Sequence, residues 1–277
     1  MKVLTLNTHS WMEEDAEKQI EVLAQTIAGN DYDIVGLQEV NQRIDAPAAS
    51  LDKYFQPTLD QKAIHEDNFL YLLIQRLNEL GCLYYWSWVY NHIGYDIYHE
   101  GVGILSKSPL DPQALLISQD DDPADYRTRN VVIVRTHYEQ QEIMIANGHF
   151  SWWLSPDEGF SYEWKQLESE LAKSSLPLII MGDFNNAADI ADEGYHLVLN
   201  SPLQLRDSFQ QAKVRQGEGT VEKPIDGWQE NQASIRIDYI FSQSYFKTQT
   251  YRTLFDGKDT PQISDHLGVE ASFSWSI

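Results

Sequence analysis

The sequence predicts an α/β fold: two packed sheets covered by helices, in a single domain over residues 1–277. Three observations predict it. Strand-like apolar runs outnumber helix-like ones. The helical stretches sit between groups of strands. No Pro/Gly/Ser-rich linker divides the 277 residues, which are 42% hydrophobic and 12% aromatic, ample for a large core.

The elements follow in order. "KVLTLNTH" alternates apolar and polar residues and reads as a strand. "EEDAEKQIEVLAQTIAGND" carries Ile20, Leu23 and Ile27 at helical spacing, acids in its first turn and Gly29 as the stop. "DIVGLQEV" is a short apolar strand ending in polar residues, and "FLYLLIQRLNELGC" is a second amphipathic helix. "YYWSWVYNHIG", "GVGILSKSPL", "NVVIVRTHY" and "EIMIANGHFSWW" read as strands. "SYEWKQLESELAKSS" is a third helix and leads into the strand "PLIIMGDF". "ASIRIDYIFSQ", with Asp238 inside it, and "LGVEASFSWSI" supply the late strands. No apolar run approaches the ~18–20 residues of a membrane span, so no membrane partner is expected. The opening "MKVLTLNTHSW" lacks a signal-peptide pattern, and Cys82 is the single cysteine. Both suit a reducing cytoplasm.

Charge narrows the partners. Asp and Glu number 42 against 20 Lys and Arg, a net −22. Such a field repels polyanions and anionic membranes, and the chain lacks the bases that displace counterions from nucleic acid. A phosphate substrate is still allowed if it is small and enters a locally positive or metal-bearing pocket.

Polar residues gather where strands end: Asn7, Glu39, Glu100, His149, Asp183, Asn185, Asp238, Asp265 and His266. Burying such groups costs free energy unless they are paired, and they cluster where a metal or a reaction compensates them. A hard cation such as Mg²⁺ takes oxygen ligands, which Glu39 and Asn7 on one side and Asp265 on another would supply. No Cys/His set has zinc spacing. Neither a G-x-S-x-G elbow nor a Gly-rich phosphate loop occurs. The remaining chemistry is metal-assisted hydrolysis by water. The bland reading of Asp183 and Asn185 is a strand-end turn with an Asx hydrogen bond. Glu100 reads equally well as an exposed loop carboxylate. His9, His65, His137 and His196 read as structural residues, and His92 and His99 as surface residues in aromatic loops.

Taken together, "TLNTH", "GLQEV", "GHF", "GDFN", "RIDYIF" and "SDH", in this order, resemble the endonuclease/exonuclease/phosphatase superfamily. The resemblance runs from Val3 to about Val269 and implies a four-layer α/β/β/α sandwich of the deoxyribonuclease-I type. It implies Glu39 as the principal Mg²⁺ ligand, with Asn7 and Asp265 nearby; Mn²⁺ is the alternative ion. It implies Asp183 as the group that orients or deprotonates the attacking water, and Asn185 as its phosphate-holding partner. His266 paired with Asp238, and His149 with Glu100, would stabilise the transition state. Arg129 would touch phosphate.

Within the superfamily, "YNHIGYDIYHEGVGILSKSPL" and "PIDGWQENQASIRIDYIF" resemble a bacterial branch whose named example hydrolyses maltose 6'-phosphate. The aromatics of these loops suit stacking on a sugar. Trp153, Trp228 and His92 are expected to meet the part of the substrate beyond the phosphate. The expected function is phosphatase action on a phosphorylated sugar. The alternatives are a phosphodiesterase (nuclease or sphingomyelinase-like) and, from another class, a non-catalytic binding module.

Overall fold

The computed structural model describes residues 1–225, 227–229 and 233–276. Of the stretch "PIDGWQENQ", Asp226 and the residues 230–232 therefore lie outside the described residues, as does Ile277.

Two sheets stack face to face. One has eight strands. Its central path runs from Phe246–Leu254 through Gly268–Trp275, Lys2–Asn7 and Ile34–Gln38 to Tyr98–Ser106, which also pairs with Tyr85–Gly94. The other has six, centred on Leu178–Asp183 between Gln141–His149 and Asp238–Ser242. The helices Ala16–Asn30 and Phe69–Glu79 cover the first sheet; Phe160–Leu171 and the short Gly194–Leu199 cover the second.

Strand alternation builds three cores from these layers. Leu4 and Leu6 face the first helix layer with Leu23, Ile27, Leu70 and Leu73. Val3 points the other way and meets Val132, Ile145, Ile179 and Met181 between the sheets. Leu178 and Ile180 turn toward Trp164 and Leu167 of the second helix layer. Strands buried on both faces read as unbroken apolar runs, which is why "PLIIM" does. The order is helix, sheet, sheet, helix: the four-layer α/β/β/α sandwich. No helix among the described residues is long and apolar enough to cross a membrane.

The first helix departs from expectation at its end. Gly29 lies inside it, and the cap is Asp31 in the left-handed region at φ 58°, its N–H bonded to the Ile27 carbonyl. Asp tolerates that conformation because its short side chain hydrogen-bonds locally. Two long strands were not foreseen. Asp111–Leu116 is a largely exposed edge strand without alternation. Phe246–Leu254 carries three threonines among its nine residues, and a register shift between Thr248 and Thr250 breaks its period. Asp238 opens its strand rather than sitting inside it.

Gly182 is fixed by a close approach. Its φ is +139°, and a Cβ there would lie 2.0 Å from the Gly148 carbonyl oxygen on the neighbouring parallel strand. Gly182→Ala is therefore expected to lower stability by about 2 kcal/mol or more, from strain at a special φ and from overpacking. Urea unfolding monitored by circular dichroism checks this; an unchanged midpoint would sink it.

Candidate active site

Strand register assembles the site. Leu178–Asp183 runs parallel to Gln141–His149 and antiparallel to Asp238–Ser242, so Asp183 stands level with His149 on one side and Asp238 on the other. In the facing sheet Asn7 stands beside Gln38, and Glu39 follows. The strand ends of both sheets thus deliver polar groups to one edge of the sandwich. They open on a cavity of about 300 Å³. Glu39, Glu100, Arg129, His149, Asp183, Asn185, Asp265 and His266 all line it.

Asn7 is buried beneath the cavity and ties its two sides together. Its Nδ2 donates to Glu39 Oε1 at 2.9 Å and to Asp183 Oδ2 at 3.0 Å. Asp183 Oδ1 accepts the Asn185 backbone N–H at 2.9 Å. That is the Asx turn of the bland reading, here placed inside a site. Two imidazoles face the other carboxylate oxygen: Nε2 of His149 lies 3.6 Å and Nε2 of His266 3.8 Å from Asp183 Oδ2. Asn185 sits at φ 49°, a conformation Asn tolerates. Its Nδ2 lies 3.2 Å from His149 Nε2, and its Oδ1 accepts the Trp228 indole N–H at 3.2 Å.

Glu39 also has positive φ, 51°, which is uncommon for a long side chain and stores strain. Hydroxyls hold it there: its carbonyl accepts Ser10 Oγ at 2.5 Å and Thr8 Oγ1 at 3.0 Å.

Each histidine has a carboxylate behind it. His266 Nδ1 lies 2.9 Å from Asp238 Oδ2. Burial alone would lower its pKa, but Asp238 and Asp183 outweigh burial and hold His266 well above its ordinary value. Burial pushes the Asp238 carboxyl up, and the neighbouring His266 acts against that shift. Glu100 lies 3.7 Å from His149 Nδ1, 3.5 Å from His92 Nε2 and 3.4 Å from Arg129 Nη1. Burial would raise Glu100; His92, His149 and Arg129 outweigh it and hold the carboxyl well below the usual range. Two of the cavity's carboxylates, Glu100 and Glu39, are therefore unlike. Burial and the facing Glu100 push Glu39 up, a sign of negative charge with too little positive charge around it.

That imbalance, with an oxygen donor set of Glu39, Asp265 and Asn7, suits a hard divalent cation. Among the described residues, two groups of three acidic or imidazole side chains lie with ligand atoms within 4.8 Å of one another: His9, Glu13 and Asp265, and Asp183, Asp238 and His266. Glu39 belongs to neither. The second group is already paired internally by the His266–Asp238 contact. The first adjoins Glu39 across the cavity.

Several residues lie elsewhere than expected. His9 lines the cavity instead of serving the fold: its Nδ1 lies 2.9 Å from Glu13 Oε1 and 3.7 Å from Asp265 Oδ1. Burial lowers its pKa, but Glu39 and Asp265 prevail and raise it. Its place two residues after Asn7 in "TLNTH" was the available signal. Trp153 is half-buried against the aromatic core under the Phe160–Leu171 helix, and Trp152 lines the cavity in its place. The two alternate in direction, so a one-residue error exchanges wall for core. Trp228 reaches the site by its hydrogen bond to Asn185 while packing beside Ile237 and Val221. His92 is 3% exposed, which makes it an inner partner of Glu100 and not a surface residue. His99 packs between His65 and Tyr90, and its burial brings its pKa down to about 4.

No curated protein matches the sequence. Solved structures do. An endonuclease/exonuclease/phosphatase family protein from Leptotrichia buccalis C-1013-b aligns at 29% identity and TM-score 0.85, covering 99% of this chain and 100% of that one. A mannosyl-6-phosphatase of Bacteroides thetaiotaomicron VPI-5482 shares 17% identity at TM-score 0.69, over 99% and 100% of the two chains. The catalytic domain of human Nocturnin shares 18% at TM-score 0.68, over 100% and 93%. The last two show likeness of fold. The family model described as Endonuclease/Exonuclease/phosphatase family matches residues 11–266. With its four-layer fold and its strand-end carboxylates and histidines, the chain belongs to the endonuclease/exonuclease/phosphatase family of metal-dependent phosphoester hydrolases.

Proposed function

We propose that this protein is a Mg²⁺-dependent phosphomonoesterase acting on a small phosphorylated sugar in the cytoplasm, with residues 1–277 as one catalytic domain. Maltose 6'-phosphate is the first substrate to try. The observation that carries the reading is the shape and charge of the cavity. It holds about 300 Å³, Tyr95, Tyr126 and Trp152 stand among its walls, and it belongs to a chain of net charge −22. A single phosphorylated head group enters such a space; a duplex finds no basic track to follow.

The residues divide the work. Asp183 is fixed by Asn7 and by the Asn185 N–H, so Oδ2 faces the water that attacks phosphorus and takes its proton. The P–O ester bond breaks on the opposite side, and the leaving oxygen takes a proton from solvent, so the sugar departs as an alcohol. His266, its Nδ1 held by Asp238, presents Nε2–H to a phosphoryl oxygen. His149, Asn185 and Arg129 surround the other oxygens, and such donors are worth most where charge develops. Glu39, Asn7 and Asp265 would hold the ion. Bound there, a divalent cation would polarise a phosphoryl oxygen and balance the charge on the leaving group.

A substrate panel with Mg²⁺ tests the reading. It contains sugar phosphates, bis-p-nitrophenyl phosphate and supercoiled plasmid. The sugar phosphates are expected to turn over at least about 10²-fold more efficiently than the diester, a gap of about 2.7 kcal/mol. Efficient plasmid nicking would replace this reading with a nuclease. Silence on every substrate, with the ion bound, would favour a binding module.

A further inference from the structure

A second cavity, of about 630 Å³, lies at the far end of the sandwich from the catalytic one. Two strands join the ends. Asp238–Ser242 leaves the catalytic edge at Asp238, and its last residue lines the second cavity. Gly268–Trp275 begins just after His266, and its last residue lines the cavity too. At about 3.3 Å per residue, these strands hold the two cavities roughly 13–23 Å apart. Register builds the walls: Ser242 stands level with Arg206, and Lys247 with Ser274.

Its charge is opposite to that of the chain. Three of the 20 basic residues, Arg206, Lys213 and Lys247, line it, and among the described residues none of the 42 acids does. The segments that supply the lining are themselves free of acids: no Asp or Glu occurs in residues 208–217, 239–255 or 271–276. Elsewhere cations are paired, Arg43 with Asp45, Arg76 with Glu21 and Arg252 with Glu270. Arg206, Lys213 and Lys247 meet no carboxylate within 4.0 Å among the described residues. Asp207, the neighbour of Arg206, faces the interior and pairs with Arg236 at 2.7 Å. Lys213 is held by an amide instead. Its Nζ donates to Gln249 Oε1 at 2.6 Å, and Gln249 Nε2 donates to Ser274 Oγ at 2.8 Å. The amide fixes the ammonium without neutralising it.

Cations held side by side repel one another, and an anion that enters relieves the repulsion. The field of a −22 chain opposes any anion, so a ligand must gain from several of these cations at once. A phosphoryl group presents several acceptor oxygens to ammonium, guanidinium and hydroxyl donors. Arg206, Lys213, Lys247 and the Ser274 hydroxyl supply such donors, and the space exceeds that of the catalytic cavity. We propose that this second cavity binds a small molecule carrying two or more phosphate groups, at a site separate from the catalytic one. The inference goes beyond the phosphatase reading and stands without it.

Calorimetric titration of the full chain with tripolyphosphate tests it, with no metal added because the probe chelates Mg²⁺. Tripolyphosphate should bind at least about tenfold more tightly than inorganic phosphate, since it reaches more than one cation. The double variant Lys213→Glu/Lys247→Glu should weaken tripolyphosphate at least about tenfold, and a rise in ionic strength should weaken the wild type. Lys213 and Lys247 are exposed, so the fold tolerates both changes. Lys247→Glu alone should show part of the loss. Arg129→Gln, in the catalytic cavity, should leave tripolyphosphate affinity within about twofold, the change expected where no contact to the probe is lost. Unchanged affinity in the double variant would overturn the site. So would a loss in Arg129→Gln as large as in the double variant, which would place the anion in the catalytic cavity. Absence of binding, or equal affinity for phosphate and tripolyphosphate, would overturn it as well.

Discussion

Asp183→Asn is expected to lower kcat by roughly 10²–10⁴-fold, the loss that follows removal of a positioned proton acceptor. The geometry predicts where that loss appears. Asp183 is 1% exposed and is held by Asn7 and by the Asn185 N–H, neither of which depends on substrate. The amide keeps the shape and can still accept the Asn185 N–H. It cannot accept a proton from water, and its NH₂ would face the Asn7 amide or the two imidazoles. KM should therefore move by only a few-fold. Steady-state kinetics on the best sugar phosphate measure both. A raised KM with kcat unchanged would make Asp183 a binding residue, and the base would have to be found elsewhere.

Glu39→Gln is expected to weaken Mg²⁺ binding by more than about 10²-fold, beyond what loss of a residue that merely orients a ligand costs. Glu39 carries the charge that a hard cation needs, and burial and Glu100 leave it short of positive charge. The amide removes that tension without the cation. The variant should thus be at least as stable as the wild type without metal, and should gain much less stability when Mg²⁺ is added. Calorimetric titration and thermal unfolding with and without Mg²⁺ give the two readouts. Equal affinity would move the ion away from Glu39, with the His9, Glu13 and Asp265 group the next place to look.

Much of this was legible because the chemistry sits at strand ends. A strand that is buried on both faces shows as an apolar run, and the polar residues that interrupt it stand out. Asn7, Glu39, Asp183 and Asn185 were visible in that way. Glu100 was noticed on the same ground but stayed ambiguous: a loop carboxylate and a buried one look alike in sequence, and only the encirclement by His92, His149 and Arg129 separates them. His9 and Trp152 were missed for a similar reason. Each lies within two residues of a noticed position, but the direction of a side chain depends on local backbone, and His9 has φ 45°.

By itself the sequence determined the layers, the acidic field and the inventory of oxygen and imidazole groups, since these depend on local periodicity and on counting. It also carried the ordered motifs that mark the family. The tertiary structure alone decided which groups meet. Strand register set Asp183 level with His149 and Asp238. The stacking of the two sheets brought Asn7 within hydrogen-bonding distance of an acid 176 residues away. Loops distant in sequence supplied Tyr126 and Trp152, which line the cavity. Such contacts join residues far apart along the chain. A single sequence records the residues at both ends of each contact and has no term for the distance between them.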